Sequence, residues 1–498
     1  MKNITCNYIV EKAICGIMIF SAMFVVIVSI IEPEIYKDVE VGLTYVFALI
    51  YIVILVGTVR FLSGISDKSR NRIIICCISA AFIIQMYIAF HMQLIPKVDL
   101  SHIYDQCVNM VESGNSKITD KKYFGFYTNN IPIAIIIYYI FRVGDILGIT
   151  NYRLVGGISN VLLLFVMYYT VYLILKQITT NYISSVIMII LLTNPVFYAY
   201  ASYYYTDTIS LAFTMLSVYL LMIGERQCVT WKKIFSYMAT GFIMGLAVQV
   251  RVTSIFIILA FFAFCILKKK WKKLFQTGIY LGVGAFLFML LWTGVYERHV
   301  DFDTTNSSVT ADHFVMMGST GKGTYNSDDV KFTKSFKTRE DKIINNRAIL
   351  KKRIKENGIK GNLRLIAVKE RLVWGVGARG YSQYTENVVK ETKCYDIIVG
   401  EMSKYFRSYM QAYNIILFGM ILLGCIMSLK NTHDYMLVLF IYWGGALIFY
   451  AFWEAHSRHS LSFLPLLTIM IVPFFEKIKE NTLLREGRDN QRCVQCGL

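Results

Sequence analysis

Residues 73–105 read IIICCISAAFIIQMYIAFHMQLIPKVDLSHIYD, and they join the two kinds of segment from which the chain is built. Residues 73–95 carry no Asp, Glu, Lys or Arg, and about 20 such residues suffice for a helix to cross a bilayer. The polar part of this stretch begins at Pro96, and Asp99 lies just past the apolar run. The stretch therefore predicts a membrane-spanning helix followed by a polar loop with a carboxylate at the membrane edge.

The composition extends this prediction to the whole chain. The 498 residues are 56% hydrophobic, with a mean hydropathy of +0.50 and only 17% charged residues. A soluble protein would have about 25% charged residues. The net charge of +18 lies mainly between apolar segments, where basic residues meet anionic lipid headgroups and orient the chain. We predict an all-α polytopic membrane protein whose partners include membrane lipids but no nucleic acid.

The apolar segments divide the chain into membrane and loop regions. Candidate spans lie near 9–31, 41–60, 73–95, 131–148, 154–175, 183–203, 206–223, 234–250, 251–267, 274–295, 412–428, 434–452 and 459–476. The predicted regions are two N-terminal spans (1–72), a transmembrane core (73–295) with the loop 96–130, a hydrophilic region (296–411), C-terminal spans (412–476) and a basic cytoplasmic tail (477–498).

Charge bias orients these spans, because cytoplasmic loops are rich in Lys and Arg. The run Lys268 to Lys273 favours the cytoplasm, and the loops 96–130 and 296–411 are then extracytoplasmic. Three apolar segments separate Asp99 from Asp207, yet two residues on one side require an even number of crossings. We expect one segment to be re-entrant, tilted or fused to a neighbour, and 131–148 is the candidate because Arg142 and Asp145 interrupt it. About 12 crossings remain, with both ends cytoplasmic.

The hydrophilic region 296–411 is predicted to be mainly helical. Ser327 resembles a helix N-cap followed by acidic residues in the first turn. Arg339 to Glu356 reads as a basic helix ended by Gly358, and a second helix is predicted from Asn362 to Trp374. Two interpretations remain open for this region: a solvated extracellular loop, or a lid that lies on anionic lipid and covers a site.

Ionisable residues at membrane depth are costly, so each is a candidate site residue. The first group is Asp99 with His102, Tyr104 and Asp105; positions 99 and 102 share a helical face. A carboxylate in a cleft can accept a proton from an incoming hydroxyl, as a general base must. The alternative is an aspartate that caps a short interfacial helix.

Three further groups fall on the same predicted side of the membrane. Asp207 either N-caps a helix or binds a cation or a substrate hydroxyl. Arg251 suits a phosphate, which guanidinium binds in a bidentate way, or else extends to the interface. Glu454 and Arg458 are four residues apart and are expected to pair on one helical face. The pair is either a structural salt bridge, or Arg458 lies at the mouth of a membrane cavity and suits a phosphate.

Common nucleotide and hydrolase motifs are missing from the sequence. No Walker loop, GxSxG elbow, HExxH or GxGxxG stands in a suitable context, and the glycine-rich stretch Gly318 to Gly323 lacks the Walker spacing. The chain is therefore not expected to be an ATP-driven pump or an enzyme of soluble nucleotides. A phosphate-containing donor would more naturally be linked to lipid.

The chain resembles the GT-C superfamily of integral membrane glycosyltransferases, of the protein O-mannosyltransferase and aminoarabinose transferase type. It is especially similar to mannosyltransferase-like membrane proteins of Gram-positive bacteria. The segments that carry the resemblance are Pro96 to Asp99 with Tyr104, Tyr127 to Asn130, Asn194-Pro195, Tyr205 to Asp207, Gly245 to Arg251, Met316 to Gly318, Gly323 to Asp329, and Trp453 to His459 with Pro465.

The resemblance implies a GT-C-like core and an inverting transfer of a sugar from a polyprenyl-phosphate carrier to a glycan or lipid-linked acceptor. This transfer would occur on the outer face of a bacterial plasma membrane. It implies that Asp99 is the base and that Asp207 helps to bind the acceptor or a divalent cation (Mg²⁺ or Mn²⁺). Arg251 and Arg458 would hold the phosphate, and Glu454 would orient Arg458. Tyr104 and Asp105 are expected in the substrate site. The main alternative is a transporter or flippase of a lipid-linked saccharide, and a third is an inactive scaffold.

Overall fold

The computed structural model describes residues 2–31 and 39–480, with side chains from Tyr8 onward. The predicted tail (477–498) and the loop before the second span fall largely outside these residues. The regular elements of the described part are helices, and one isolated antiparallel bridge joins Leu94 to Val388. The prediction of an all-α protein is confirmed.

The helices vary widely in length. In chain order they are α1 (Lys2–Ile31), α2 (Val41–Ser63), α3 (Asp67–His91), α4 (Asp99–Glu112), α5 (Lys121–Phe126), α6 (Ile131–Ile146), α7 (Tyr152–Ile178), α8 (Asn181–Leu192), α9 (Val196–Ala199), α10 (Thr206–Arg226), α11 (Thr230–Val250), α12 (Phe256–Leu267), α13 (Trp271–His299), α14 (Ala311–Met317), α15 (Ser327–Lys334), α16 (Arg339–Trp374), α17 (Ser382–Thr385), α18 (Lys393–Ile398), α19 (Ser403–Met427), α20 (Asp434–Phe452) and α21 (Leu464–Ile469). Short 3₁₀ turns occupy Thr128–Asn130, Val252–Ile255 and Ser457–Phe463.

Ten helical stretches of the described chain are long and apolar enough to cross a membrane. They are Tyr8–Ile31 within α1, the helices α2, α3, α7, α10, α11, α13, α19 and α20, and the stretch Ser457–Glu480 that contains α21. Two shorter apolar stretches, Asn181–Leu192 and Val252–Leu267, bring the total to the predicted number of about twelve. Both are shorter than the roughly 20 residues of a full crossing.

The directions of α3, α7 and α10 place Asp99 and Asp207 at the same end of the bundle. Asn151, at the start of α7, donates to Gln93 beyond the end of α3 (2.9 Å). At the other end Tyr172 of α7 donates to Asn71 of α3 (2.8 Å). The helix α7 is therefore antiparallel to α3, and α10 is parallel to α7 because its last residue, Arg226, contacts the end of α7.

The segment 131–148, the one expected to be re-entrant, tilted or fused to a neighbour, forms α6. This helix has only 16 residues and ends at an ion pair between Arg142 and Asp145 (2.9 Å). It packs against α4 and α7. Between Asp99 and Asp207 the chain then passes along the bundle once in α7 and returns through residues 181–205, which include α8 and α9, to the start of α10.

The predicted span 183–203 is wrong in its extent. The helix α8 ends at Leu192, and Asn194 accepts a hydrogen bond from the backbone N–H of Val196 (3.2 Å). Pro195 lacks a backbone N–H and disfavours helix in the residue before it, so the chain turns here. This turn leads the backbone to Tyr203–Tyr205 at the start of α10.

The region between α13 and α19 (300–402), called the connecting region below, is helical as predicted. Gly358 has φ 60° and ψ −175° and divides α16 into two helices, although the second begins directly after it rather than at Asn362. The N-cap of α15 is Asn326, not Ser327; its side chain accepts from the N–H groups of Asp328 and Asp329. The predicted span 412–428 also begins earlier, at Ser403, because α19 extends beyond its most apolar part.

Candidate functional site

A cavity of about 1380 Å³ opens at the end of the bundle that carries Asp99. Its walls include Asp99, Arg251, Glu454 and Arg458, so four of the residues singled out from the sequence meet in one space. Pockets for small molecules usually measure about 300–1000 Å³. The cavity is large enough for a substrate that consists of more than one chemical unit.

Asp99 lies at the first position of α4, directly after a strained residue. Val98 has φ 53°, a conformation that is rare for a β-branched residue. Oδ1 of Asp99 accepts a hydrogen bond from the Tyr123 hydroxyl (2.7 Å), which itself accepts from Nδ2 of Asn130 (2.7 Å). The Tyr205 hydroxyl donates to Oδ1 of Asn130 (3.0 Å) and lies 3.5 Å from Oδ2 of Asp99.

This network fixes the orientation of the carboxylate. Burial, together with the charge of Asp99, raises the pKa of Tyr123, so Tyr123 remains a hydrogen-bond donor. Oδ1 is held by Tyr123, whereas Oδ2 has only the longer contact with the Tyr205 hydroxyl. The N-cap of α4 is Val98 and Asp99 is the first helical residue, so Asp99 does not cap the helix.

Asp207 is fully buried and holds two arginines from different parts of the chain. Its Oδ1 lies 2.5 Å from Nη1 of Arg251, and its Oδ2 lies 3.0 Å from Nε of Arg458. Only 11% and 12% of the two arginine side chains are exposed. Two positive charges thus share one negative charge, which leaves a net positive site at the cavity wall.

The position of Asp207 in α10 and its ion pairs exclude one alternative for Asp207 and one for Arg251. The N-cap of α10 is Tyr205, and Asp207 is the second helical residue, so the capping hypothesis is wrong. Arg251 directs Nη1 to Asp207 rather than extending to the membrane interface. A buried carboxylate is costly unless paired, and the two guanidinium groups supply that pairing.

Aromatic side chains surround the guanidinium of Arg458. Its Nη1 donates to the Tyr203 hydroxyl (2.9 Å), and the group lies 4.3 Å from the ring centre of Tyr384 and 5.3 Å from that of Tyr205. Cation–π contacts of this kind hold a guanidinium in place without neutralising it. The charge of Arg458 is therefore compensated by the carboxylate of Asp207, which it shares with Arg251, and not by the aromatic rings.

The predicted pairing of Glu454 with Arg458 on one helical face is wrong. The helix α20 ends at Phe452, and the backbone of Trp453 and His456 is extended. A spacing of four residues aligns side chains only in a helix. Arg458 is instead oriented by Asp207 and the tyrosines, while burial raises the pKa of Glu454 to about 7.

His456 links the connecting region to the segment that follows α20. Its Nδ1 accepts from the backbone N–H of Arg458 (3.1 Å), so the proton of the neutral ring is on Nε2. Nε2 lies 3.0 Å from Oε1 of Gln383 and 3.2 Å from the Tyr384 hydroxyl. Burial and the nearby Arg458 lower the pKa of His456 to about 3, so the ring stays neutral at physiological pH.

Tyr104 and Asp105, both predicted in the substrate site, lie outside the cavity. Successive helical residues rotate by about 100°, which turns positions 104 and 105 of α4 away from Asp99. Tyr104 packs against Phe141 and beneath Arg153, and Asp105 is exposed. Neither is retained as a substrate-binding residue.

The residues around Asp207 do not fit a divalent cation. Both carboxylate oxygens face guanidinium groups, and a metal ion would add a third positive centre beside them. Mg²⁺ and Mn²⁺ prefer several oxygen ligands. Within 8–31 and 39–480, no group of three or more His, Cys, Asp or Glu side chains is placed to hold a metal. Asp207 is an anchor for the arginines, contrary to its assignment as a metal ligand.

Lys369 of α16 connects the glycine-rich stretch to the cavity wall. Its buried ammonium donates to the carbonyls of Gly318 (3.0 Å) and Ala451 (2.9 Å). Next to it, the carbonyl of Gly323 accepts from the N–H of Ala455, one residue after Glu454 (2.7 Å). The glycine-rich stretch thus has a structural role, consistent with its lack of Walker spacing.

Gly323→Ala is expected to destabilise the protein more than Gly321→Ala. Both glycines have positive φ (+72° and +57°), but a Cβ on Gly323 would lie 2.5 Å from Cδ of Lys369, whereas nothing lies within 4 Å at Gly321. Backbone strain at positive φ costs each variant about 1 kcal/mol of stability, and overpacking against Lys369 adds about 1–3 kcal/mol for Gly323→Ala. Thermal unfolding of the purified variants in detergent measures the difference; equal melting temperatures would contradict the close contact.

Several site residues were missed by the sequence reasoning. Tyr123 and Asn130 complete the Asp99 network, and the stretch Tyr127 to Asn130 had been noted without a role for its members. Tyr384 and His456 reach the cavity from segments 72 residues apart. No local pattern marks Tyr384, since only the folding of the connecting region brings it to Arg458.

The fold and the cavity define a class: a multi-pass, all-α membrane protein with a polar cavity at one end of its helix bundle. A family model described as "conserved hypothetical integral membrane protein" matches residues 10–478. Since this match covers most of the chain, the protein belongs to that family.

Comparisons with solved structures and with curated proteins are less informative than the family match. The chain is similar to the apo crystal structure of the Archaeoglobus fulgidus oligosaccharyltransferase, with 13% identity and a TM-score of 0.45. The similarity covers 83% of this chain and 52% of the other, so this chain spans about half of that protein. No curated protein matches the sequence.

Proposed function

We propose that the protein is an inverting glycosyltransferase of the bacterial plasma membrane. It would move a sugar from a polyprenyl-phosphate carrier to a cell-envelope glycan or lipid-linked acceptor on the extracytoplasmic face. The observation that supports this most is the meeting of Asp99 with two guanidinium groups, held by one buried carboxylate, in a single cavity. Transfer from a phosphate carrier needs a base and a cationic phosphate site close together.

The two arginines suit the phosphate of the donor. Guanidinium groups bind phosphate oxygens by charge-assisted hydrogen bonds, and Asp207 uses only part of their donor capacity. The apolar bundle beside the cavity suits a polyprenyl chain, which would remain in the membrane. The developing negative charge on the leaving phosphate would be stabilised by the preorganised cations.

Asp99 suits the role of base. In the proposed step the acceptor hydroxyl attacks the anomeric carbon, its proton passes to Oδ2 of Asp99, and the bond from this carbon to the phosphate oxygen breaks. The carrier phosphate leaves with the electron pair, and the anomeric configuration inverts. Tyr205 lies between the two halves of the site, 3.5 Å from Asp99 and beside Arg458.

A transporter or flippase is the competing function. Transporter sites usually lie near the bilayer midplane at the interface of structural repeats. Here the polar groups collect at one end of the bundle, next to the connecting region. This placement supports chemistry at the membrane edge more than passage through the membrane.

Mass spectrometry of envelope glycans and carrier lipids from a strain that lacks the gene tests the proposal. We expect one glycan to lose one sugar residue and the sugar-loaded carrier to accumulate. Unchanged glycans would contradict the proposal. Uptake of a labelled saccharide into sealed vesicles containing the protein, with no covalent product, would favour the transporter.

The pH dependence of donor binding is expected to depend on Glu454. With a pKa raised to about 7 by burial, its carboxyl is neutral below that pH and charged above it. A phosphodiester keeps its charge throughout this range. The new negative charge beside the donor phosphate should raise the KM for donor about fivefold between about pH 6 and pH 8, equivalent to about 1 kcal/mol. Glu454→Gln should abolish the increase of this KM with pH. If the KM of the variant still increases, the pH dependence belongs to another titrating group.

A further inference from the structure

A second, smaller cavity lies at the opposite end of the bundle. It measures about 500 Å³, and its walls include Glu225 and five lysines, Lys233, Lys269, Lys270, Lys272 and Lys273. We call it the lysine pocket. The helix α11 starts near it and ends beside Arg251, so its 21 residues separate the two cavities by about 30 Å.

Only part of the positive charge in the lysine pocket is neutralised by the protein. Lys273 pairs with Glu225, and Lys270 lies 2.8 Å from Asp434. For Lys233, Lys269 and Lys272, the described chain offers no carboxylate within ion-pair distance. Three cations around one concave space favour an anionic ligand.

The backbone at Lys269 adds an independent observation. Lys269 has φ 54° at the end of α12, where glycine is the residue that adopts this conformation without strain. A lysine at this position directs a charged side chain to the pocket at the cost of backbone strain. Helix termination alone does not call for a lysine there.

Apolar side chains extend from the pocket along the bundle surface. On α13, Trp271 lines the pocket, and Phe275 and Ile279 follow it at intervals of four residues; the three side chains are 50%, 66% and 62% exposed. They occupy one helical face, with tryptophan at the polar end as is typical of a membrane interface. The ligand that matches both features has an anionic head and apolar chains.

We propose that the lysine pocket binds the phosphate headgroup of an anionic phospholipid in the leaflet opposite the large cavity. The lysines would contact the headgroup, and the exposed apolar face of α13 would contact its acyl chains. Basic pockets between membrane helices bind anionic headgroups in this way. The acyl contacts distinguish this ligand from free phosphate. The site is separate from the proposed transfer reaction.

Native mass spectrometry of the full chain in neutral detergent, titrated with phosphatidylglycerol or phosphatidylcholine, tests the proposal. The variant Lys269→Gln/Lys272→Gln should bind phosphatidylglycerol about 25-fold more weakly, because each lysine near an anionic headgroup contributes about a factor of five. The control Lys68→Gln/Lys232→Gln removes the same charge at the same end of the bundle but outside the pocket. It should change binding less than threefold.

Three outcomes would overturn the proposal. Equal losses in the two double variants would indicate diffuse attraction by surface charge. Equal affinity for phosphatidylglycerol and phosphatidylcholine would exclude recognition of the anionic head. Displacement of the lipid by millimolar inorganic phosphate would assign the pocket to a soluble anion. If the double variant fails to fold, Lys269→Gly takes its place in the test, because glycine suits the positive φ at this position. This variant should keep its melting temperature and bind the lipid about fivefold more weakly.

Discussion

Asp99→Asn is expected to lower the rate of sugar transfer by about 10²–10⁴-fold, the usual contribution of a general base. Asparagine keeps the shape of the side chain and can still accept from the Tyr123 hydroxyl, but it cannot take a proton from the acceptor. Binding of the donor should change little, because the proposal assigns the phosphate contacts to Arg251 and Arg458. The measurement is kcat and donor affinity of the purified variant.

The chain offers a matched control for this experiment. Asp105→Asn makes the same chemical change six residues later in α4, on an exposed side chain outside the cavity. We expect it to transfer sugar at the rate of the unmodified protein. Full activity of Asp99→Asn, or an equal loss in both variants, would remove Asp99 from the proposed mechanism.

Asp207→Asn is expected to cause the largest loss of stability. Removing one partner of a buried ion pair costs about 3–5 kcal/mol, because the remaining charge is left without compensation. Here two guanidinium groups, each nearly buried, would lose their shared carboxylate. Donor affinity should fall as well, since both arginines would lose their fixed positions. Thermal unfolding and donor titration measure the two effects.

The exposed pair Arg142–Asp145 provides the comparison. Its side chains are 41% and 37% exposed, and a surface ion pair contributes at most about 1 kcal/mol. Asp145→Asn should therefore shift the melting temperature far less than Asp207→Asn. Adding Arg251→Gln to Asp207→Asn should recover part of the lost stability by removing one uncompensated charge. Similar shifts for Asp145→Asn and Asp207→Asn would mean that the buried pairs do not support this part of the fold.

Much of the fold follows from hydrophobic segment length and charge bias. The apolar run 73–95 became most of α3, and the segment with Arg142 and Asp145 forms the 16-residue helix α6. Errors arose where a local signal opposed the apolar pattern. Pro195 ended the predicted span 183–203 early, because hydropathy alone does not register a missing backbone donor.

The site was predictable only in part. The cost of a charge at membrane depth identified Asp99, Asp207, Arg251 and Arg458, and all four came together. Helical spacing misled where no helix formed, as for Glu454 and Arg458, and it failed to exclude Tyr104 and Asp105 before the orientation of α4 was known. The contribution of Tyr384 depends on long-range folding that spacing rules do not address.

The most direct test of the proposed function is transfer by the purified protein in proteoliposomes. The donor would be a polyprenyl-phosphate sugar, labelled in the sugar and of known anomeric configuration, and the acceptor an envelope glycan fraction. We predict that the label enters the acceptor with inverted configuration and that one polyprenyl phosphate is released per sugar transferred. Label that crosses the bilayer without forming a new glycosidic bond, or a product that retains its configuration, would contradict the proposal.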